Sequence, residues 1–297
     1  MEGALFAHIG GKNGLLGAEL LALTPEQKPD IYIEPFGGSF GLGIKTDYST
    51  DEVTMVHNEL DSIIHYIFKS VSEKPKETLE AVNYMLSCYD YSQTTVDCFR
   101  NAFDYLDKTG SNILESDVRL GAAGWILKEI TYNGNCKKLR KTEDADIKLK
   151  LLKKFERREE TAYRLEGIRA FNMDAMDMLS EVERAGKKHN KKIFIYVDAP
   201  YSHSGKRKTR ADLYRVDIDR EDRKITELAE LLENINKDTN CKIMVSEYDS
   251  PIYDSILTKT RGWEKIKVCD VYKSMAPADC IGCKPIETEY IWRNYRA

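Results

Sequence analysis

The run Ile193-Phe194-Ile195-Tyr196-Val197 reads as a β-strand, and it stops on an acid, a small residue, a proline and an aromatic at Asp198, Ala199, Pro200 and Tyr201. A carboxylate, a restricted turn and a stacking ring are thereby placed together at a strand's C-terminal edge. In open α/β sheets that edge is where ligands bind, so the four residues make a pocket suited to a flat polar group such as a nucleobase. Taken alone, the tetrapeptide also fits a turn in which Asp caps the backbone and Pro sets φ.

Two more strand-to-loop transitions lie near the start of the chain. Ile31 to Glu34 runs into Pro35-Phe36-Gly37-Gly38-Ser39-Phe40-Gly41, a loop whose glycines let a ligand approach the backbone closely. The glycine spacing is wrong for a dinucleotide fingerprint, and no Lys-Ser or Lys-Thr pair follows as in a phosphate-binding loop. The β-rich run from Val53 then ends in Asn58-Glu59-Leu60-Asp61. Glu59 is placed to accept from ribose hydroxyls, whereas Asp61 equally suits an N-cap ahead of Ile63, Ile64, Ile67 and Phe68.

Periodicity divides the chain into three parts. Residues 1–71 and 161–297 carry the strand patterns, while 72–160 is nearly devoid of strand alternation and rich in helical charge patterns. The expected fold class is α/β: a mixed sheet flanked by helices, interrupted by a helical insert. Later strands are expected at Gly167 to Phe171, Lys242 to Ser246, Lys265 to Asp270 and Lys284 to Trp292, with a helix over Arg220 to Ile235. With 297 residues, 42% of them hydrophobic, the chain can bury a sizeable core. No apolar run approaches the roughly 18 residues of a spanning helix, and Met1 to Leu5 lacks a basic-then-apolar leader, so a soluble cytoplasmic protein without membrane contact is expected.

Seven cysteines at irregular spacing read as reduced thiols. Cys280 and Cys283 form a Cys-x-x-Cys pair, but no second ligand pair stands nearby, and no metal is expected. The net charge of −4 conceals clustered cations. Lys137, Lys138, Arg140 and Lys141 form one group, Lys153-Lys154 and Arg157-Arg158 follow, and Lys206, Arg207, Lys208 and Arg210 come directly after Tyr201. Basic loops beside a pocket suit nucleic-acid phosphates, with a steep salt dependence. Lys187-Lys188 and Lys191-Lys192 read as a solvated face.

In their order along the chain, these segments resemble the Dam-like class of N6-adenine DNA methyltransferases. His8-Ile9-Gly10-Gly11-Lys12 is similar to that family's N-terminal Trp-Ala-Gly-Gly-Lys segment, and Glu34-Pro35-Phe36-Gly37-Gly38 to its methionine-binding loop. Asn58 to Asp61 resembles its ribose-holding segment, Thr131-Tyr132-Asn133-Gly134 its Phe-Asn-Gly segment, and Asp198 to Tyr201 its catalytic Asp-Pro-Pro-Tyr. The resemblance implies S-adenosylmethionine as cofactor, a Rossmann-like methyltransferase fold with an inserted helical DNA-recognition domain, and double-stranded DNA as partner. It implies that His8, Lys12, Glu34, Pro35, Phe36, Gly38, Glu59, Asp174 and Asp198 line the cofactor site. It further implies that Asp198 and the Ala199 carbonyl accept the two hydrogens of the target amine, with Tyr201 stacked on an adenine flipped out of the duplex.

Gly121 to Asn135 resembles the helix and loop that enter the groove, so Tyr132 and Asn133 are candidate base contacts, asparagine being suited to adenine. The Lys137 to Glu160 stretch reads as a charged helix without an obvious apolar face. This chain departs from the family pattern at His8, Phe40, Glu59 and Ala199, where the family has tryptophan, often a further glycine, aspartate and proline. Because the second acceptor is main chain, alanine at 199 keeps it and gives up only the ring's restriction of φ. Two alternatives stay open: methylation of another amine, such as that of an RNA base, and a catalytically impaired DNA-binding relative. A partner restriction nuclease is compatible with either DNA reading.

Overall fold

The computed structural model describes residues 4–6, 12, 14–141, 146–200, 222–272 and 286–296. His8, Tyr201, Lys206, Arg207, Lys208, Arg210, Cys280 and Cys283 lie outside the described residues.

Seven strands form one sheet: β1 (Ile31–Glu34), β2 (Thr54–Asn58), β3 (Arg169–Phe171), β4 (Ile193–Val197), β5 (Lys242–Glu247), β6 (Glu264–Tyr272) and β7 (Ile286–Arg293), in the order β3-β2-β1-β4-β5-β7-β6. Pairings from β3 across to β5 are parallel, and β7 runs antiparallel to both β5 and β6. The central strand β4 is buried at every position. Its period of two sends Phe194 and Tyr196 into one core and Ile193, Ile195 and Val197 into the other.

The second of these cores is closed by α8 (Ala175–Gly186), α9 (Asp222–Asp238) and α10 (Pro251–Ile256), through Leu179, Leu232 and Tyr253 among others. The first is closed by α1 (Gly14–Ala22) and by the long connection between β2 and β3. That connection contains α2 (Ser62–Glu73), α3 (Pro75–Cys88), α4 (Gln93–Thr109), α5 (Asp117–Ile130), α6 (Ile147–Glu156) and α7 (Glu159–Arg164). The boundary expected at residue 72 falls inside α2. One continuous core runs from Tyr32 of β1 through Phe68 of α2 to Phe103 and Trp125, so these helices share apolar contacts with the sheet.

The helix α5 is buried continuously from Leu120 to Ile130, so of the Gly121 to Asn135 segment expected to enter a DNA groove the helical part offers no exposed face, and the exposed residues are Tyr132 and Asn133. It packs closely on α2 because it carries glycine where backbones meet. A Cβ on Gly121 would lie 1.9 Å from Ser70 Oγ, and one on Gly124 would lie 3.2 Å from the Ile63 carbonyl. These contacts make α5 antiparallel to α2. Its C-terminal end therefore reaches the start of α2, beside the C-terminal end of β2. The stretch expected to be charged without an apolar face is also corrected: α6 buries Leu151 and Phe155, with the Phe155 ring centroid 5.1 Å from that of Trp125. Ile147, Leu151 and Phe155 recur at i, i+4 and i+8, and Ile147 and Leu152 pack against the same core, so the apolar face is present in the sequence between the lysines. Among the described residues, no helix is long and apolar enough to cross a membrane.

Candidate active site

The C-terminal ends of β1, β2, β3 and β4 lie side by side, and a cavity of about 200 Å³ opens above them on the α8–α9 side. Pro35 and Phe36 follow β1, Asn58 ends β2 and Glu59 and Leu60 follow it, Met173 to Met176 follow β3, and Ala199 and Pro200 follow β4; Lys224, Ile225, Glu227 and Leu228 of α9 complete the wall. The two acids singled out in the sequence, Glu59 and Asp174, thus reach one cavity from two strand ends.

Glu59 is fixed before any ligand arrives. Its Oε2 accepts the Gly38 N–H at 2.9 Å and its Oε1 accepts the Asp61 N–H at 3.1 Å. Burial pushes its carboxyl above the ordinary range, and these backbone donors pull it part of the way back. Asp174 has two roles: it lines the cavity, and its Oδ1 caps α8 by accepting the Met176 N–H at 2.8 Å. Asp61 caps α2 through the Ile63 N–H at 3.0 Å.

The glycine loop after β1 lies over the end of β2. Gly37 N–H donates to the Asn58 carbonyl at 2.7 Å, and a Cβ on Gly37 would fall 2.4 Å from the His57 ring, so only glycine permits this approach. Phe40, where the resembled family often has glycine, adopts φ +55. Its ring is fully buried beside Tyr32, Phe68 and His57. Burial of the ring thus offsets a left-handed backbone that costs an L-residue roughly 1–2 kcal/mol. His57 stacks on Phe68 with ring centroids 3.7 Å apart, and burial lowers its pKa to about 3. It is a neutral support beneath the loop.

Asn58, which opens the segment resembling the family's ribose-holding segment, ties three strand ends together. Its side-chain nitrogen donates to the carbonyls of Pro35 and Met173 at 2.9 and 3.0 Å, and its oxygen accepts the Met173 N–H at 3.2 Å. Residues 115 positions apart in sequence leave no local pattern from which this bond could be read.

Glu34 and Lys12, expected in the cofactor pocket, are not among the residues lining this cavity. Glu34 shares its face of the sheet with Tyr32. Its Oε1 accepts the Tyr32 hydroxyl at 2.6 Å and the Gly43 N–H at 2.7 Å, and burial raises its pKa to about 8. Lys12 Nζ lies 2.9 Å from Asp198 Oδ1 and 3.1 Å from Glu289 Oε1. Burial alone would lower its pKa, but the two carboxylates raise it above the ordinary lysine value. Asp198 therefore stands between two surroundings: the cavity lined by its neighbours Ala199 and Pro200, and a buried polar cluster of Lys12, Glu289, Glu34 and Ser246.

The loop from Thr131 to Arg140 leaves α5 at this same edge. Lys128, near the end of α5, contributes to the electrostatics of Glu59 and lies over the Phe6 ring at 5.9 Å. Tyr132 is 56% exposed, and Asn133, Lys138 and Arg140 are exposed beside it, with Lys137 half-buried. Asn133 adopts φ +51, as an Asn-Gly turn predicts. Backbone bonds from Tyr132 to Lys138 and from Arg140 to Ile130 close the loop. Gln93 of α4 then clamps it, donating to the Lys137 carbonyl at 3.0 Å and accepting the Leu139 N–H at 2.9 Å. Of the later cations, Lys154 and Arg158 are committed to the buried Glu129.

The reversed β7, the order of the sheet and a cavity lined by acids at the strand ends define an α/β methyltransferase of Rossmann-like fold. The chain belongs to the D12 class N6 adenine-specific DNA methyltransferase family, which it matches over residues 8–275. It is accordingly a DNA adenine N6-methyltransferase. Comparison with curated proteins gives no match.

Proposed function

We propose that this enzyme acts in the cytoplasm and takes its methyl group from S-adenosylmethionine, passing it to the N6 amine of an adenine flipped out of double-stranded DNA. The observation that carries this reading is the convergence of Glu59 and Asp174 on a cavity bordered by Ala199 and Pro200. The donor set suits a nucleoside: a carboxylate at the end of β2 for ribose hydroxyls, and apolar walls from Phe36, Met173, Met176, Ile225 and Leu228 for a flat base. Glu59 would hold the ribose and Asp174 would lie toward the adenine, with Phe36 against the methionine portion. When bound, the cofactor supplies a methyl group on a positively charged sulfur, which is the electrophile of the reaction.

The chain's own residues make the amine a nucleophile. The N6 lone pair is delocalised into the purine ring. Accepting one N–H at Asp198 and the other at the Ala199 carbonyl draws the nitrogen toward tetrahedral geometry and aims the lone pair. Asp198 also offsets the positive charge that develops on nitrogen and accepts its surplus proton. Positioning of this kind can lower a barrier by about 7–11 kcal/mol at most. Extracting the base costs a few kcal/mol, of which stacking on Tyr201 would return about 1–3 kcal/mol. Tyr132, Asn133, Lys137, Lys138 and Arg140 would meet the duplex at the loop, with Lys206, Arg207, Lys208 and Arg210 on nearby phosphates.

The test is transfer of a labelled methyl group into unmethylated genomic DNA by the intact protein and by Asp198→Ala, followed by mapping of modified bases. N6-methyladenine in a short recurrent motif, reduced about 10²–10³-fold in Asp198→Ala, is expected. Label entering RNA instead of DNA would reject the proposed acceptor. Cofactor binding with no transfer would identify a catalytically impaired relative.

A further inference from the structure

Behind Asp198, on the side away from the nucleoside cavity, a lysine is held between two carboxylates. Lys12 Nζ contacts Asp198 Oδ1 and Glu289 Oε1 at 2.9 and 3.1 Å, while the side chains of Lys12 and Glu289 are 4% and 1% exposed. Glu289 sits within β7, opposite Cys269 of β6, and its Oε1 also accepts the Ser246 hydroxyl from β5. The backbone of Glu289 is thus held in the sheet beside β6, and its carboxylate is bonded by Ser246 of β5. A lysine ammonium is a point charge with three donors on a flexible four-carbon stem, and one carboxylate at the mouth of a pocket does not fix its position. A second carboxylate, locked into the sheet, does.

We propose that Glu289 is a positioning residue for methyl transfer: through Lys12 it holds the Asp198 carboxylate in the orientation that accepts the target amine, so that it sets turnover and not binding. The inference rests on Asp198 being the amine acceptor. Glu289 lies beyond the residues 8–275 that match the family, and it is not among the residues lining the cavity. Exchanging its charge for an amide removes the ionic part of the Lys12–Glu289 contact while leaving the contact between Lys12 and Asp198. The Lys12 ammonium then loses the anchor that fixes its position, and the Asp198 carboxylate bonded to it turns with it. A misplacement of about 1 Å at the reacting centre costs on the order of 10²-fold in rate.

The experiment compares the full-length protein with Glu289→Gln, Lys12→Met, the double variant and Ser246→Ala. It measures kcat and KM on duplex DNA, S-adenosylmethionine affinity by calorimetry, and thermal unfolding. Glu289→Gln is expected to lower kcat about 10- to 100-fold while KM and cofactor affinity stay within about twofold. The double variant is expected to be no slower than Lys12→Met alone, because both changes act on one path. Ser246→Ala is expected to lower kcat in the same manner but less. An unchanged kcat in Glu289→Gln, a loss expressed in KM or cofactor affinity, or additive effects in the double variant would overturn the proposal. Should Glu289→Gln fail to fold, Ser246→Ala decides: an unchanged kcat there overturns it too. Full activity in Asp198→Ala, by contrast, removes the amine-acceptor assignment itself.

Discussion

The strand ends that form the cavity and the loop from Thr131 to Arg140 share one edge of the molecule but are held by different physics. At the strand ends, buried side chains bond to buried backbone: Asn58 joins three segments, and Glu59 holds the glycine loop. In the loop, Tyr132, Asn133, Lys138 and Arg140 face solvent, and the exposed Gln93 supplies the clamp. Buried polar bonds are costly to leave unmade, whereas exposed ones can be replaced by water. Changes at the strand ends should therefore register as stability and chemistry, and changes in the loop as DNA affinity.

The largest effect is expected at Phe40. Phe40→Ala removes a fully buried ring and should destabilise the protein by about 3–5 kcal/mol in chemical denaturation. Phe40→Gly loses the same ring but relieves the left-handed backbone, so it should be more stable than the alanine variant by about 1 kcal/mol. That order reverses what most positions show. Alanine proving the more stable would mean that φ at 40 relaxes and that the loop is not rigidly held. Next comes Asn58→Ala, which strips partners from the Pro35 and Met173 carbonyls and the Met173 N–H. A loss of about 1–3 kcal/mol together with weaker cofactor binding is expected. Stability loss without weaker binding would separate the Asn58 bonds from the binding of the cofactor.

The sheet was legible because parallel core strands are continuous apolar runs. Ile193 to Val197 and the residues around Ile31 and Lys242 announce themselves in this way, and the acids that follow them mark the binding edge. The role of α5 was not legible. Gly121-Ala122-Ala123-Gly124 has no strong polar face, and the same pattern serves a helix buried on all sides. The surroundings of Lys12 were not legible for another reason: its charge partner Glu289 is 277 residues away, and nothing local marks the lysine as buried. The place of Asp198 at the end of β4 could be read from its neighbours in sequence, but Lys12, Ser246 and Glu289 behind it are brought together only by folding.

A third effect separates the strand ends from the loop by pH. Glu34 has a folded pKa of about 8 against an ordinary value of 4.5, so between these values the folded protein holds a proton that the unfolded chain has released. Its contribution is full below pH 4.5 and is lost as pH rises through 8. His57 acts with the opposite sign, at lower pH. With a folded pKa of about 3 against 6.5, it destabilises the fold as pH falls from 6.5. Between pH 6.5 and 8 Glu34 acts without that opposition. Stability measured over this interval should fall with pH, by at most about 2 kcal/mol from this one group. Glu34→Gln should flatten that limb, while Arg140→Ala should leave it unchanged. A slope that survives in Glu34→Gln would assign the titration to another group.

The smallest effects belong to the loop, and they test the comparison from its other side. If Lys138 and Arg140 each neutralise a phosphate, Lys138→Ala and Arg140→Ala should each reduce the slope of log affinity against log salt by about 0.9. Thermal stability should hardly change, since both side chains are exposed. At saturating DNA, kcat should match that of the unaltered enzyme, because neither side chain belongs to the group around Asp198. Gln93→Ala should act less directly. Losing its bonds to Lys137 and Leu139 leaves backbone groups that water can satisfy, so hydrogen exchange at the Leu139 amide should quicken and DNA affinity should weaken slightly. An Arg140→Ala enzyme with an unchanged salt slope and a reduced kcat at saturating DNA would place the loop within the chemistry of methyl transfer. The division between a buried, chemistry-setting edge and an exposed, affinity-setting loop would then have to be abandoned.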